Sequence, residues 1–213
     1  MLYEAQFRNP AGAGKLIQAI RDMDLPELRI MEICGTHTMS IAKAGLRQIL
    51  PPHIHLISGP GCPVCVTPSG VMDEVLRISQ LPNVTITTYG DLLRVPGSVP
   101  GDNLQRRSAQ GADVRMVYSP MDSLDMAEQE PDREFIFLGV GFETTAPGTA
   151  IAVQEAKARG RKNFSLLSLL KRTEPAMRAI IESDDFNVSG FLCPGHVATI
   201  LGEEGFRFLA EEY

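Results

Sequence analysis

The 213-residue sequence has no excess of basic charge, no long apolar run, no leader-like start and no phosphate-loop motif. Each gap excludes a class of function. Lys and Arg number 20 against 26 Asp and Glu, for a net charge of −6. That balance gives no electrostatic footprint for a phosphodiester backbone, so nucleic acid is not an expected partner. No apolar stretch approaches the ~20 residues that cross a bilayer. The start, MLYEAQFRNPAGAGKLIQAIRDM, lacks the basic flank and apolar core of a signal peptide. A cytoplasmic protein is therefore expected, in a setting where structural disulfides are rare. Neither a Walker A sequence nor a Gly-x-Gly-x-x-Gly after a strand occurs. NPAGAGK (9–15) imitates a phosphate loop, but its spacing is wrong and no strand precedes it.

What is present is the composition of an ordinary globular protein, 44% hydrophobic and 22% charged. Residues 1–120 carry 11 basic and 10 acidic side chains, and residues 121–213 carry 9 and 16. Short aliphatic runs alternate with longer amphipathic ones, as in βα units. Strands are expected at 28–34, 54–59, 84–89, 114–119, 134–140, 163–170 and 188–193. Most are nearly continuous apolar runs, which suits parallel strands covered on both faces. Helices are expected at 39–50, 68–79, 149–159 and 174–183, where apolar positions recur every three or four residues. Pro51-Pro52 stops the first, and Thr173 is positioned to cap the last.

The acidic tract 121–134 places an expected boundary near residue 120. The expected architecture is α/β: two Rossmann-like parallel-sheet α/β/α lobes, 1–120 and 121–213, facing a shared cleft. The final pattern, ATILGEEGFRFLAEEY, reaches its end without a helix stop, so the second lobe is expected to be incomplete.

Four unusual segments each follow an expected strand: CGTHT (34–38), GPGCPVC (59–65), GFETTAPG (141–148) and CPGH (193–196). Open parallel sheets hold their ligands beyond the carboxyl ends of their strands, so these loops are expected to converge. Cys62 and Cys65 sit in a Gly-Pro frame just before a helix that opens at Pro68-Ser69. Spacing alone ranks a redox pair first, a metal site second and simple packing last. A helix N-terminus favours the redox reading. A zinc site would recruit further ligands from Cys34, His37, Cys193 and His196. His37 and Cys34 stand three residues apart at a strand end, and metal ligation and plain structural roles are evenly matched there. Glu143 reads either as an acid–base group or as compensation for a helix start. His196 is placed to begin the last helix, and His55, inside a strand, reads as structural.

Taken together and in this order, CGTHT, GPGCPVC, GFETTAPG and PGHVATILG resemble the signature set of the HypD family of NiFe-hydrogenase maturation factors. The resemblance runs over nearly the whole chain. It implies a scaffold on which the hydrogenase iron centre, carrying two cyanides and one carbon monoxide, is assembled with a HypC-type chaperone and a HypE-type cyanide donor. It implies Cys34 as the iron-binding thiolate with His37 beside it, and Cys62 and Cys65 as the redox-active pair. Glu143 and His196 would line the same cleft, while Thr36, Thr144 and Thr145 would present hydroxyls to the bound group. Family members continue into a region whose cysteines hold a 4Fe-4S cluster, which this chain is expected to lack. Cys193 stands where the family motif resembles an apolar site, so no role is carried onto it. Two rivals from other classes are a stand-alone thiol–disulfide oxidoreductase and a zinc-stabilised, non-catalytic module.

Overall fold

The structure, a computed structural model, describes residues 9–213. They form an α/β protein with two parallel sheets flanked by helices, in the manner of Rossmann-like lobes. All seven strands fall where the apolar runs place them: β1 (Leu28–Glu32), β2 (Ile54–Ser58), β3 (Val84–Thr88), β4 (Asp113–Met116), β5 (Glu134–Gly141), β6 (Phe164–Leu170) and β7 (Gly190–Leu192). Every pairing is parallel.

The strands divide in a way their rhythm does not reveal. One sheet has the order β2-β1-β7 and the other β4-β3-β5-β6. The chain correspondingly splits into two compact units. The first holds the described residues up to Gly61 together with Glu182–Pro194; the second holds Cys62–Ile181 and Gly195–Tyr213. The boundary expected near residue 120 therefore lies inside the second unit. The acidic tract there opens with a helix, α6 (Pro120–Gln129). Ser119 and Asp122 form a reciprocal capping box at its start, and Leu124 and Ala127 are fully buried. Apolar periodicity marks which segments are strands; it does not say which strands are neighbours.

In the first unit, α1 (Pro10–Asp22) begins at Asn9, whose side chain accepts from the amides of Ala11 and Gly12. The helix expected over 39–50 starts earlier and breaks in two, α2 (Gly35–Ala44) and α3 (Leu46–Ile49). The break is Gly45, with φ of 61°, the left-handed conformation that glycine adopts without steric cost.

The second unit contains the main apolar core. Met72, Val75 and Leu76 of α4 (Ser69–Ile78) pack with Ile86, Leu92, Leu104, Leu138, Val140 and Leu169. Leu92 belongs to a 3₁₀ turn (Leu92–Arg94) and Leu104 to α5 (Leu104–Ala109). The unit is completed by α7 (Ala146–Ala158), α8 (Thr173–Ile181), α9 (Gly195–Leu201), a second 3₁₀ turn (Glu203–Phe206) and α10 (Phe208–Glu211). No described helix is long and apolar enough to cross a membrane.

Candidate thiol and metal-binding sites

In the first unit, parallel pairing brings the carboxyl ends of β1, β2 and β7 to one edge, in register at Glu32–Ser58 and Glu32–Leu192. Cys34, Gly59 to Gly61 and Cys193 leave from that edge. Cys34 is the N-cap residue of α2, in extended backbone, and its carbonyl accepts from the amides of His37 and Thr38 at 2.9 and 3.2 Å. It is only 5% exposed. The positive end of a helix favours an anion at that position. The backbone of the neighbouring loop closes tightly over it. A Cβ on Gly61 would lie 2.7 Å from both Cα and N of Cys34, so glycine is required for this approach.

A buried carboxylate that the sequence reading passed over braces the same edge. Glu32, 1% exposed, accepts from Ser58 Oγ at 2.5 Å and from the Arg47 guanidinium at 3.2 Å. Arg47 also donates to Ser58 Oγ at 2.9 Å and to the Leu56 carbonyl at 3.2 Å. The signal was visible: Glu32 is the lone acid within the apolar run LRIMEIC. Burying a carboxylate is costly unless it is hydrogen-bonded; here a cation and a hydroxyl satisfy Oε1, while Oε2 is buried without a partner. The result ties the ends of β1 and β2 together two residues before Cys34.

His37 lines a pocket of about 430 Å³ with Ser40, Ile41, Phe191, Leu192 and Cys193, all within the first unit. Its Nδ1 is buried and without a hydrogen-bond partner. Burial pushes the Cys193 thiol upward, which keeps it protonated and suits a packing role. Thr36 is exposed in the first turn of α2. His55 lies in β2, 3.5 Å from the Glu27 carboxylate.

In the second unit, Cys62 and Cys65 lie in a compact turn closed by the Val66 amide donating to the Cys62 carbonyl and by Thr67 Oγ1 donating to the Pro63 carbonyl. Such a turn sets residues three apart on one side. Interaction with the neighbouring Cys62 thiol, with a smaller contribution from burial, pushes the Cys65 thiol above its ordinary range. Cys65 is exposed and Cys62 half-buried, and none of the four cysteines is in a disulfide. The turn leads directly into α4, whose N-cap, Pro68, supplies no side-chain acceptor.

Glu143 follows β5 and does not stand open to an acid–base partner. Its two carboxylate oxygens accept from the amide and the hydroxyl of Thr173, at 2.6 and 2.8 Å, at the start of α8. The helix-start reading of Glu143 thus describes its hydrogen bonds, with the correction that the helix it serves is α8 and not the one that follows it. Thr173, expected to cap α8, is itself held by Glu143. Thr145 is the N-cap of α7 without a side-chain cap bond, and its side chain lies where a Cβ on Gly141 would fall. Thr144 is exposed. His196 is exposed at the second position of α9. Among the described residues, no group of three or more His, Cys, Asp or Glu side chains is arranged to hold a metal ion. A zinc-stabilised module would need such a group.

Fold and sites together define a parallel-sheet α/β protein with thiols at the carboxyl ends of its strands. The sequence matches the family described as "Hydrogenase formation hypA family", HypD, over residues 12–213. It is similar to the hydrogenase maturation factor HypD of Escherichia coli (strain K12), at 43% identity over the whole chain, and to that of Rhizobium leguminosarum bv. viciae, at 42%. The HypD of Azotobacter vinelandii is 40% identical, again over the whole chain. The chain belongs to the HypD family. It spans about 58% of the length of the Escherichia coli and Azotobacter relatives and 57% of the Rhizobium one.

Proposed function

We propose that this chain serves in the assembly of the NiFe-hydrogenase iron centre, with iron as its cargo. Cys34 is the sulfur that takes the iron, and Cys62 with Cys65 is the pair that supplies electrons. The observation that carries this reading is the contrast between the two sets of thiols. One sulfur is buried at a helix start under a braced loop. The other two share one accessible turn, three residues apart.

Low-spin iron with diatomic ligands suits a soft thiolate anchor. The protein contributes one such ligand from a position fixed by α2, Gly61 and the Glu32–Arg47–Ser58 brace. The remaining ligands come from the diatomics and from a HypC-type partner. The dithiol Cys62–Cys65 gives up two electrons and two protons as its disulfide forms, and a HypE-type donor that releases cyanide takes up those electrons. His37 stands one helical turn from Cys34. Glu143 and Thr173 hold the loop after β5 in place, while Thr36, Thr144 and His196 are exposed. Reduced thiols and a labile iron centre accord with work in the cytoplasm.

Anaerobic isolation with a HypC-type partner followed by infrared spectroscopy tests the reading. Cyanide and carbonyl stretching bands are expected with the unaltered chain and absent in Cys34→Ala. Bands that persist in Cys34→Ala would overturn it, as would thiol–disulfide turnover that needs neither Cys34 nor iron.

A further inference from the structure

Beside Cys65 lies a pocket of about 410 Å³, within the range of about 300–1,000 Å³ common for small-molecule sites. Its walls are Val64, Cys65, Thr67 and Ser69 on one side and Asp91, Arg94, Val95 and Pro96 on the other. All belong to the second unit. Asp91 caps the 3₁₀ turn that Arg94 closes. Residues three apart on such a turn eclipse each other, so a carboxylate and a guanidinium stand on the same wall.

The charges here are unspent. Among the described residues no ion pair joins Arg94 to any carboxylate, Asp91 included, although most arginines of the chain are so engaged. Ser69 brings the first turn of α4 to the opposite wall. The pocket thus offers a cation and a helix start to an anionic group, a carboxylate to a cationic one, and apolar contact between them. An exposed sulfur stands at its mouth.

We infer that this pocket docks a small zwitterionic thiol of the cysteinyl peptide class, which reduces the Cys62–Cys65 disulfide by attack on Cys65. The inference rests on the redox reading of the pair given above and adds its reductant. The ligand carboxylate meets Arg94 and its ammonium meets Asp91. The ligand thiolate attacks Sγ of Cys65; a ligand–Cys65 disulfide forms, the Cys62–Cys65 bond breaks, and Cys62 leaves as a thiolate that takes a proton from water. A second ligand thiolate attacks the ligand sulfur of that mixed disulfide. Cys65 is released and protonated, and the two ligand molecules depart as their own disulfide. Two electrons have passed to the protein. Because Cys65 is the exposed sulfur and Cys62 the half-buried one, attack is directed to Cys65.

The test uses the oxidised chain, with its Cys62–Cys65 bond confirmed by peptide mapping. Its rates of reduction by glutathione and by uncharged 2-mercaptoethanol are compared at equal thiolate concentration. Arg94→Gln is expected to lower the ratio of the two rates about tenfold, the size of one charge-assisted hydrogen bond. Arg94 is exposed and outside the core, so the variant folds. Cys62→Ser treated with oxidised glutathione is expected to carry the mixed disulfide on Cys65. A ratio unchanged by Arg94→Gln, with the Cys62–Cys65 bond present, overturns the docking inference alone. Failure of that bond to form on oxidation overturns the redox reading and this inference with it.

Discussion

The two units treat sulfur in opposite ways. In the first, Cys34 is immobilised: capped into α2, approached by Gly61 and set just beyond the brace that Arg47 and Ser58 make to buried Glu32. In the second, Cys62 and Cys65 ride an exposed turn beside an open pocket. Their supporting frames differ as well. β3 is buried at every residue and β5 at six of eight, whereas β1 is buried only at Glu32 and β2 nowhere. A metal ligand gains from fixed geometry, and an exchanging thiol gains from access. The lesson is that burial here follows the chemistry proposed for each sulfur, and not the bulk of the core beneath it.

Several substitutions would break or sharpen that contrast. The largest effect is expected in the second unit's core. Phe137, fully buried and edge-on to Tyr89 at 5.5 Å, should cost about 3–5 kcal/mol of stability as Phe137→Ala. Ile30→Ala in half-buried β1 should cost roughly 1 kcal/mol, near half the value for full burial. Denaturant titration compares them, and equal losses would show that the first unit is as firmly packed as the second.

Gly61→Ala should cost about 1–3 kcal/mol by overpacking against the Cys34 backbone. It should also change the alkylation rate of Cys34 while leaving that of Cys65 unaltered. An alkylation rate of Cys34 equal to the parent's would show that the loop yields without moving the sulfur.

A pH effect in the acid range is expected from Asp113 in the second unit. Burial acts to raise the Asp113 carboxyl, but hydrogen bonds from Arg115 and Thr85, with the charges of Arg115 and Arg133, outweigh it and hold the group below its usual value. Its stabilising contribution is therefore present above the ordinary aspartate pKa of about 3.9 and is lost as pH falls through the lower folded value. Melting temperature followed across the acid range should show a fall that Asp113→Asn flattens. An identical acid limb in the variant would assign the fall to other carboxylates. The smallest change is expected for Cys62→Ser, within about 0.5 kcal/mol, since a half-buried sulfur at a turn carries little packing. A large loss would mark it as a core residue.

Much of this was legible in the residues themselves. Apolar runs located all seven strands, most directly β3 and β5, because a strand buried on both faces writes its burial into composition. The motifs at strand ends were equally visible. Strand partnership was not. β7 pairs with β1 across most of the chain, and no local pattern records which edge a returning strand will join. The acidic tract misled for a related reason: its charges face outward from α6, whose Leu124 and Ala127 are buried, so a surface helix looked like a boundary between lobes. Glu143 carried its ambiguity honestly in sequence, since its partner, Thr173, lies thirty residues away. Glu32 could have been noticed as an acid inside a strand, and its partner Arg47 only from the fold.

The central claim, that one sulfur is reserved for the metal while two others exchange electrons, is tested most directly by disulfide mapping. The reduced, folded, metal-free chain is mildly oxidised, the remaining thiols are blocked after denaturation, and peptides are identified by mass spectrometry. The account predicts a Cys62–Cys65 link with Cys34 recovered as a thiol. Cys34 found in a disulfide with either member of the pair, or Cys62 and Cys65 both recovered unlinked, would contradict it.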